Sequence, residues 1–281
     1  MGLLIISAII FDIIIVAILV AKVLNYKKTS YYEITKKNFL SLIQNRGDYG
    51  EYLTYRCLKS YEEKGAKFLF NVYIPRDKEE TTEIDVLMIS KSGIYVFESK
   101  NYSGWIFGDE ERKTWTQTLP RGKTVRKEHF FNPIIQNSLH IKWLSSLLND
   151  ECLPIYSIIV FSERCELKNV NFNSTISNVV KRNRLFDLIS SINETKEGLI
   201  SEEKITEIYN RLYPYTQVTN EIKQEHIETI KEKHQTELGL CPKCGGKIVL
   251  RTVKSGEQKG TDFLGCSNYP KCRYTRNKID S

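Results

Sequence analysis

The chain has 281 residues, 41% of them hydrophobic and 27% charged, with a formal net charge of +7 at pH 7. That balance excludes a disordered chain and leaves room for one domain with additions or for two modest domains. The positive excess is compatible with an anionic partner, although ordinary solubility would account for it equally well.

Residues 2–23 read GLLIISAIIFDIIIVAILVAKV, where Asp12 is the only charge before Lys22. About 20 apolar residues at about 1.5 Å rise span the ~30 Å hydrocarbon core of a bilayer. Fifteen of the side chains are Leu, Ile, Val or Phe, each favouring insertion by about 0.3–0.6 kcal/mol, against about 2.5–3.5 kcal/mol for Asp12. The sum predicts a transmembrane helix over residues 2–24. A cleaved signal peptide would want a basic leader and a small-residue cleavage site, and neither is clear here. Lys22, Lys27, Lys28, Lys36 and Lys37 all follow the segment. The positive-inside rule then predicts a single-pass protein of the cell membrane with its soluble domains in the cytoplasm. Asp12 marks helix–helix association, a functional site or simply a tolerated exposure.

Beyond a short basic linker, residues 37–65 carry apolar positions at helical spacing, with Tyr52, Leu53, Cys57 and Leu58 on one stripe and Gly65 as the stop. One helix is expected there. KFLFNVYIP, ending at Pro75, reads as a strand. Ile84–Gly104 reads as a hairpin turning at Lys91–Ser92, and GWIFGD and KTWTQTL as two further short strands. Asn132 and Pro133 supply a cap and a first-turn proline for a helix through Leu148. IYSIIVF is a continuous apolar run of strand length, as in a strand buried on both faces. Helices near 183–193 and 201–212 close the domain. The order predicts a mixed α/β layer over residues 36–215, with helices packed on a sheet. Residues 216–238 are highly charged with sparse Ile222, Ile227 and Ile230, as expected of a solvated helical linker.

The hairpin carries charges that its apolar character does not require. With the turn at Lys91–Ser92, Asp85 lies opposite Glu98, and paired side chains in a sheet sit about 4.5–5.5 Å apart at Cβ. Both carboxylates can then hold one hard divalent cation, Mg²⁺ or Mn²⁺. Lys100 shares the strand face of Glu98 and reaches what that ion holds. Such a set performs phosphodiester hydrolysis, the metal acidifying a water and the ammonium stabilising the developing charge. The pattern alone is degenerate, and a solvated strand end is the competing reading.

Residues 239–281 hold Cys241-x-x-Cys244 and Cys266-x5-Cys272, with 21 residues between the pairs. Four thiolates at this spacing point to a tetrahedral Zn²⁺ site, with Gly245 and Gly246 freeing the backbone to turn under the metal. Cys57, Cys152 and Cys165 lie in apolar surroundings and read as core residues. From Leu240 to Ser281 there are nine Lys or Arg against three Asp or Glu. Phe263, Tyr269 and Tyr274 interleave with bases such as Lys271 and Arg273, a combination suited to stacking nucleobases and meeting phosphates. The stretch, including FLGCSNYPKC, resembles the C-terminal zinc ribbons of bacterial type I topoisomerases. That resemblance implies DNA binding, to single strands in particular.

GDYGEYLTYRCL, NVYIP, EIDVLMISKSGIYVFESKNYSGWIFGD and NPIIQNSLHIKWL together resemble the nuclease-related domain family over residues 45–150. The resemblance implies a restriction-endonuclease-like, PD-(D/E)xK core: a mixed sheet flanked by helices. It puts Asp85, Glu98 and Lys100 in the catalytic positions and adds Glu51 as a further acid near the metal. It assigns Gln136 and His140, four apart on one helical face, to the lining of the site. Glu83 stands where the family commonly has Gln. His129, His226 and His234 are expected at the surface, and Trp105 and Trp115 in the core. The expected whole is a membrane-anchored, metal-dependent nuclease acting on DNA rather than RNA. A non-cutting DNA tether at the membrane and a protein-interaction scaffold are the alternatives.

Overall fold

The computed structural model describes residues 2–77, 80–122, 124–172, 177–196, 198–237, 241, 243–244, 246–253, 256 and 260–277. The chain divides into two compact units, one running to Gln217 and the other from Val218 to Ser281.

The first unit opens with α1, Gly2–Lys27, of which Ile9–Lys27 has a mean hydropathy of 2.3 and is long and apolar enough to cross a membrane. Its last turn already belongs to the globular part. Tyr26 is buried against Tyr31, Tyr32, Phe39 and Tyr52, so the packed region begins upstream of the expected start at residue 36. The single helix expected over 37–65 is broken. Short helices α2, Ser30–Thr35, and α3, Phe39–Gln44, precede α4, Arg46–Leu58. Asn45 ends α3 and caps α4, its Oδ1 accepting from the N–H groups of Gly47 and Asp48. A competing side-chain cap, invisible to hydrophobic spacing, sets the break.

A five-stranded sheet follows in the order β1-β2-β3-β7-β9, with β1 Lys67–Pro75, β2 Thr81–Ser90, β3 Gly93–Lys100, β7 Ile155–Phe161 and β9 Ser177–Lys181. The first three strands are antiparallel, and β7 joins β3 in parallel, making the sheet mixed. The hairpin turns at Lys91–Ser92, with Ser90 opposite Gly93 and Val86 opposite Phe97. Helix α5, Pro133–Leu148, starts at the expected cap, Asn132, whose Oδ1 accepts from Ile134 N–H. Ser99 bonds Thr54 of α4, while its neighbours Glu98 and Lys100 bond His140 and Gln136 of α5. Adjacent strand residues point oppositely, so α4 and α5 cover opposite faces of β3. Helices α6, Leu185–Lys196, and α7, Glu202–Leu212, complete the unit.

A second, four-stranded sheet has the order β6-β5-β4-β8: β4 Gly104–Asp109, β5 Thr114–Arg121, β6 Thr124–Phe131 and β8 Cys165–Asn171. The sequence signalled β4 and β5 only. Its inner face buries Ile106, Trp115 and Cys165 against Ile134, Ile159 and Phe161. Trp115 is a core residue as expected, whereas Trp105 is 39% exposed, because alternation along β4 sends Ile106 inward and Trp105 outward.

In the second unit, α8 spans Asn220–Glu237, and β10 Ile248–Thr252, β11 Asp262–Cys266 and β12 Thr275–Asn277 form an antiparallel sheet. His226, expected at the surface, is buried, and His129 is exposed. The His234 side chain and Gly245 lie outside the described residues.

Candidate functional site

The hairpin, α4 and α5 bring the predicted acids and base to one end of the five-stranded sheet. Glu98 on β3 is 2% exposed, and both of its oxygens are engaged. Oε1 lies 2.7 Å from Lys100 Nζ, and Oε2 lies 3.2 Å from His140 Nε2. Lys100 also donates to Gln136 Oε1 at 3.1 Å. Glu98, Lys100, Gln136 and His140 therefore form one bonded set. Their spacing explains it: two residues apart keeps Glu98 and Lys100 on one strand face, and four apart keeps Gln136 and His140 on one helix face.

Asp85 joins this set through the backbone. Past Val86 opposite Phe97, the half-buried Asp85 accepts the Ser99 N–H on Oδ2 at 2.9 Å, which leaves Oδ1 as its remaining acceptor. Burial, then the nearby charges of Glu98 and Glu51, push its carboxyl well above the usual range, with Lys100 and the Ser99 N–H opposing. Burial also works against ionisation of Glu98, but Lys100 and His140 outweigh it and hold that carboxyl below the usual range. Burial would lower the Lys100 ammonium, and Glu98 and Asp85 overcome it.

Glu51 on α4 lies in a neighbouring network. Its Oε2 accepts from Asn71 Nδ2 at 2.9 Å and from Tyr31 Oη at 3.3 Å. Lys37 donates to Asn71 Oδ1 at 2.9 Å and to Asp48 at 2.8 Å. Burial raises the Glu51 carboxyl to about 7 despite Lys37. Sequence reasoning missed Lys37, Asn71 and Tyr31, which come from three separate segments. It also missed Thr82, whose Oγ1 lies 2.6 Å from His140 Nδ1 and so sets that ring with Nε2 toward Glu98.

Among the described residues, the four cysteines are the one set of three or more His, Cys, Asp or Glu side chains gathered closely enough for a single ion. Their sulfurs all lie within 4.8 Å of one another, with Cys241–Cys272 at 3.7 Å and Cys244–Cys266 at 3.3 Å. A tetrahedron of Zn–S bonds of ~2.3 Å requires about 3.8 Å between sulfurs, so zinc fits. Asn268 donates its backbone N–H to Cys266 Sγ and Nδ2 to Cys244 Sγ, hydrogen bonds suited to thiolates. Gly246 is needed for close approach rather than for turning, since a Cβ there would stand 2.7 Å from Asn268 Nδ2.

The predicted nucleic-acid residues divide by exposure. Tyr269 is 60% exposed, Lys271 and Arg273 are exposed, and Phe263 and Tyr274 are half-buried. Arg251, not anticipated, lies over the Tyr269 ring at 5.5 Å and crosses the sheet from Phe263.

Fold and site thus define an α/β protein with two acids and a lysine at the end of a hairpin, joined in the chain to a four-cysteine zinc module. The model of the nuclease-related domain family matches residues 46–162, and that of the topoisomerase DNA binding C4 zinc finger matches residues 238–281. The chain belongs to the nuclease-related domain family. An uncharacterized protein of Bacillus anthracis is 30% identical over 81% of this chain and 98% of its own length. DNA topoisomerase 1 of Campylobacter jejuni is 31% identical over 40% of this chain, and that of Archaeoglobus fulgidus is 50% identical over 14%. The matched regions are only 14% and 5% of those topoisomerases. No solved structure matches.

Proposed function

We propose that the chain is a membrane-anchored nuclease that hydrolyses DNA phosphodiester bonds with a divalent metal, its zinc ribbon holding the strand. The observation that carries this reading is the hydrogen-bonded set Glu98–Lys100–Gln136–His140, with Glu98 and His140 buried and Asp85 beside it. A structural ion pair would need only Glu98 and Lys100. Here a second acid sits where two further carboxyls disfavour its charge, a deficit that one cation would relieve. Mg²⁺ characteristically takes one or two carboxylates and completes its shell with water and phosphate oxygens, so Asp85 and Glu98 fit it. When bound, the metal would polarise the phosphate and acidify a water.

The chain's own groups would do the rest. Lys100 Nζ would stabilise charge developing on the phosphoryl oxygens, and Gln136 Oε1 steadies that ammonium. His140 holds Glu98 in place, its own ring fixed by Thr82. Glu51 adds negative charge behind Asp85. The mixed sheet between α4 and α5 supports a restriction-endonuclease-like core, and the apolar α1 followed by lysines supports a cytoplasm-facing anchor. The four-cysteine module resembles a part of proteins named for acting on DNA, which favours DNA over RNA.

The test is cleavage of labelled DNA by the full chain in detergent, with and without Mg²⁺ or Mn²⁺. Metal-dependent cleavage that Asp85→Ala and Lys100→Ala abolish, with DNA binding retained, is expected. DNA binding without cleavage by the folded wild type under any metal would leave the chain a tether.

A further inference from the structure

The outer face of the four-stranded sheet is built unlike an ordinary solvated sheet. On β4, Ile106 points inward, and a Cβ on Gly108 would strike the buried Trp115 ring, so Trp105 and Phe107 point outward. They are 39% and 37% exposed. Trp105 stands opposite Thr118 and Phe107 opposite Thr116 on β5, and these pair with Lys127 and His129 on β6. A hydrogen bond between Thr116 Oγ1 and His129 Nδ1 shows both on this face. From β8, Lys168 reaches to 5.8 Å over the Trp105 ring while pairing with Glu166. Two accessible aromatic rings two residues apart thus lie with Lys168 of β8 on one side and, beyond the threonines of β5, Lys127 of β6 on the other.

Charge says which partner suits such a face. Residues 112–127, covering β5 and the first half of β6, contain six Lys or Arg and no Asp or Glu, with Lys127 on this face. An anionic partner suits it. The aromatic rings require that it also offer flat apolar surfaces, and single-stranded nucleic acid offers both, since duplex bases are already stacked on one another.

The face is joined to the candidate site through the chain. Trp105 follows Lys100 by five residues. Tyr102, between them, packs on Phe130 and Phe161 on the inner side of the sheet.

We propose that this face binds single-stranded nucleic acid, Trp105 and Phe107 stacking bases while Lys127 and Lys168 meet the flanking phosphates. A base settling on Trp105 displaces the Lys168 ammonium, which then turns to phosphate. The proposal rests on the reading of the chain as a nucleic-acid protein and narrows its substrate to single strands.

The test uses the full chain in detergent carrying Asp85→Ala, without added Mg²⁺, so that nothing is cleaved. A deoxythymidine oligomer bearing bromodeoxyuridine is photocrosslinked and the modified peptides mapped. Affinities for the oligomer and for a blunt duplex are measured alongside. The expected result is a crosslink to Trp105 or Phe107. Trp105→Ala with Phe107→Ala should weaken single-strand binding by about thirtyfold or more, Trp105→Phe should retain most of it, and duplex binding should hold. Crosslinks confined to residues 239–281, unchanged single-strand affinity, or equal loss for the duplex would each overturn the proposal. Cleavage by the wild type without this crosslink removes the platform and leaves the nuclease. The crosslink without wild-type cleavage does the reverse.

Discussion

Asn71 stands opposite Asp85 where the β1–β2 ladder skips a step, Phe70 pairing with Val86 and Val72 with Ile84. Both strands lose their alternation there. Phe68 and Phe70 pack on Tyr55 of α4, whereas Thr82, which strict alternation would also turn toward α4, bonds His140 of α5. Asn71 likewise reaches Glu51 on α4, from a position whose alternation points toward α5. The switch is made by Asn71 in the left-handed region at φ 50°, a conformation Asn tolerates better than other side-chain-bearing residues. Two acids on opposite sides of the sheet are thereby drawn toward one end.

Replacing Asn71 tests that arrangement. Asn71→Gly keeps the backbone but loses the bonds to Glu51 and Lys37, each worth about 1–3 kcal/mol when a buried partner is left unsatisfied. Asn71→Ala loses the same bonds and adds about 1–2 kcal/mol of left-handed strain. Urea unfolding should rank wild type above Gly above Ala. Equal stabilities for the two variants would show that the backbone there is not strained.

The acids should also make metal-free stability fall with pH. Glu51 is raised to about 7 from an ordinary 4.5, and Asp85 is raised as well. A carboxyl with a raised folded value contributes stability that is complete below its unfolded value and lost as pH rises through the folded one. For Glu51 alone this is on the order of 3 kcal/mol between about pH 4.5 and 8. Thermal midpoints without added Mg²⁺ should therefore drop across that window, and saturating Mg²⁺ should flatten the drop by neutralising Asp85. A midpoint that climbs over the same range contradicts the buried-acid account.

His140 offers a test of positioning as distinct from chemistry. It touches Glu98 and Thr82, and its expected role is to orient a metal-holding carboxylate. His140→Ala should weaken metal affinity by about 10–100-fold, with cleavage partly recovered at high Mg²⁺. His140→Gln, able to keep one of the two bonds, should lose less. Activity loss that no metal concentration restores would instead make His140 a direct participant.

Much of this was readable beforehand where one segment carries its own signal. The hairpin's apolar strands and two-residue turn fixed its register down to Ser90 opposite Gly93, and Asn132–Pro133 announced α5. Other features depend on partners far along the chain. Strand β6, with residues 124–127 all exposed and Phe130 packed inward, shows no alternating stripe and is a strand because it pairs with β5. Lys37 reads as one of several linker lysines until folding places it on Asp48 and Asn71. The lost alternation at Asn71 and Asp85, with the register unchanged, breaks the period-two rule on which any reading of strand faces rests.

The zinc module gives a prediction independent of catalysis. Its short strands bury little apolar surface, with Leu250 56% exposed and Val249 and Phe263 only half-buried, so the metal must supply most of its folding energy. Structural zinc contributes on the order of 10–16 kcal/mol in such modules. One zinc per chain is expected, and Cys241→Ser or a strong chelator should unfold this region, releasing Tyr269 from Arg251 and exposing Cys266 to thiol reagents. The first unit has its own apolar core, so its melting transition should be unchanged. Full thiol protection after zinc removal would mean that the sheet of β10, β11 and β12 stands without its ion.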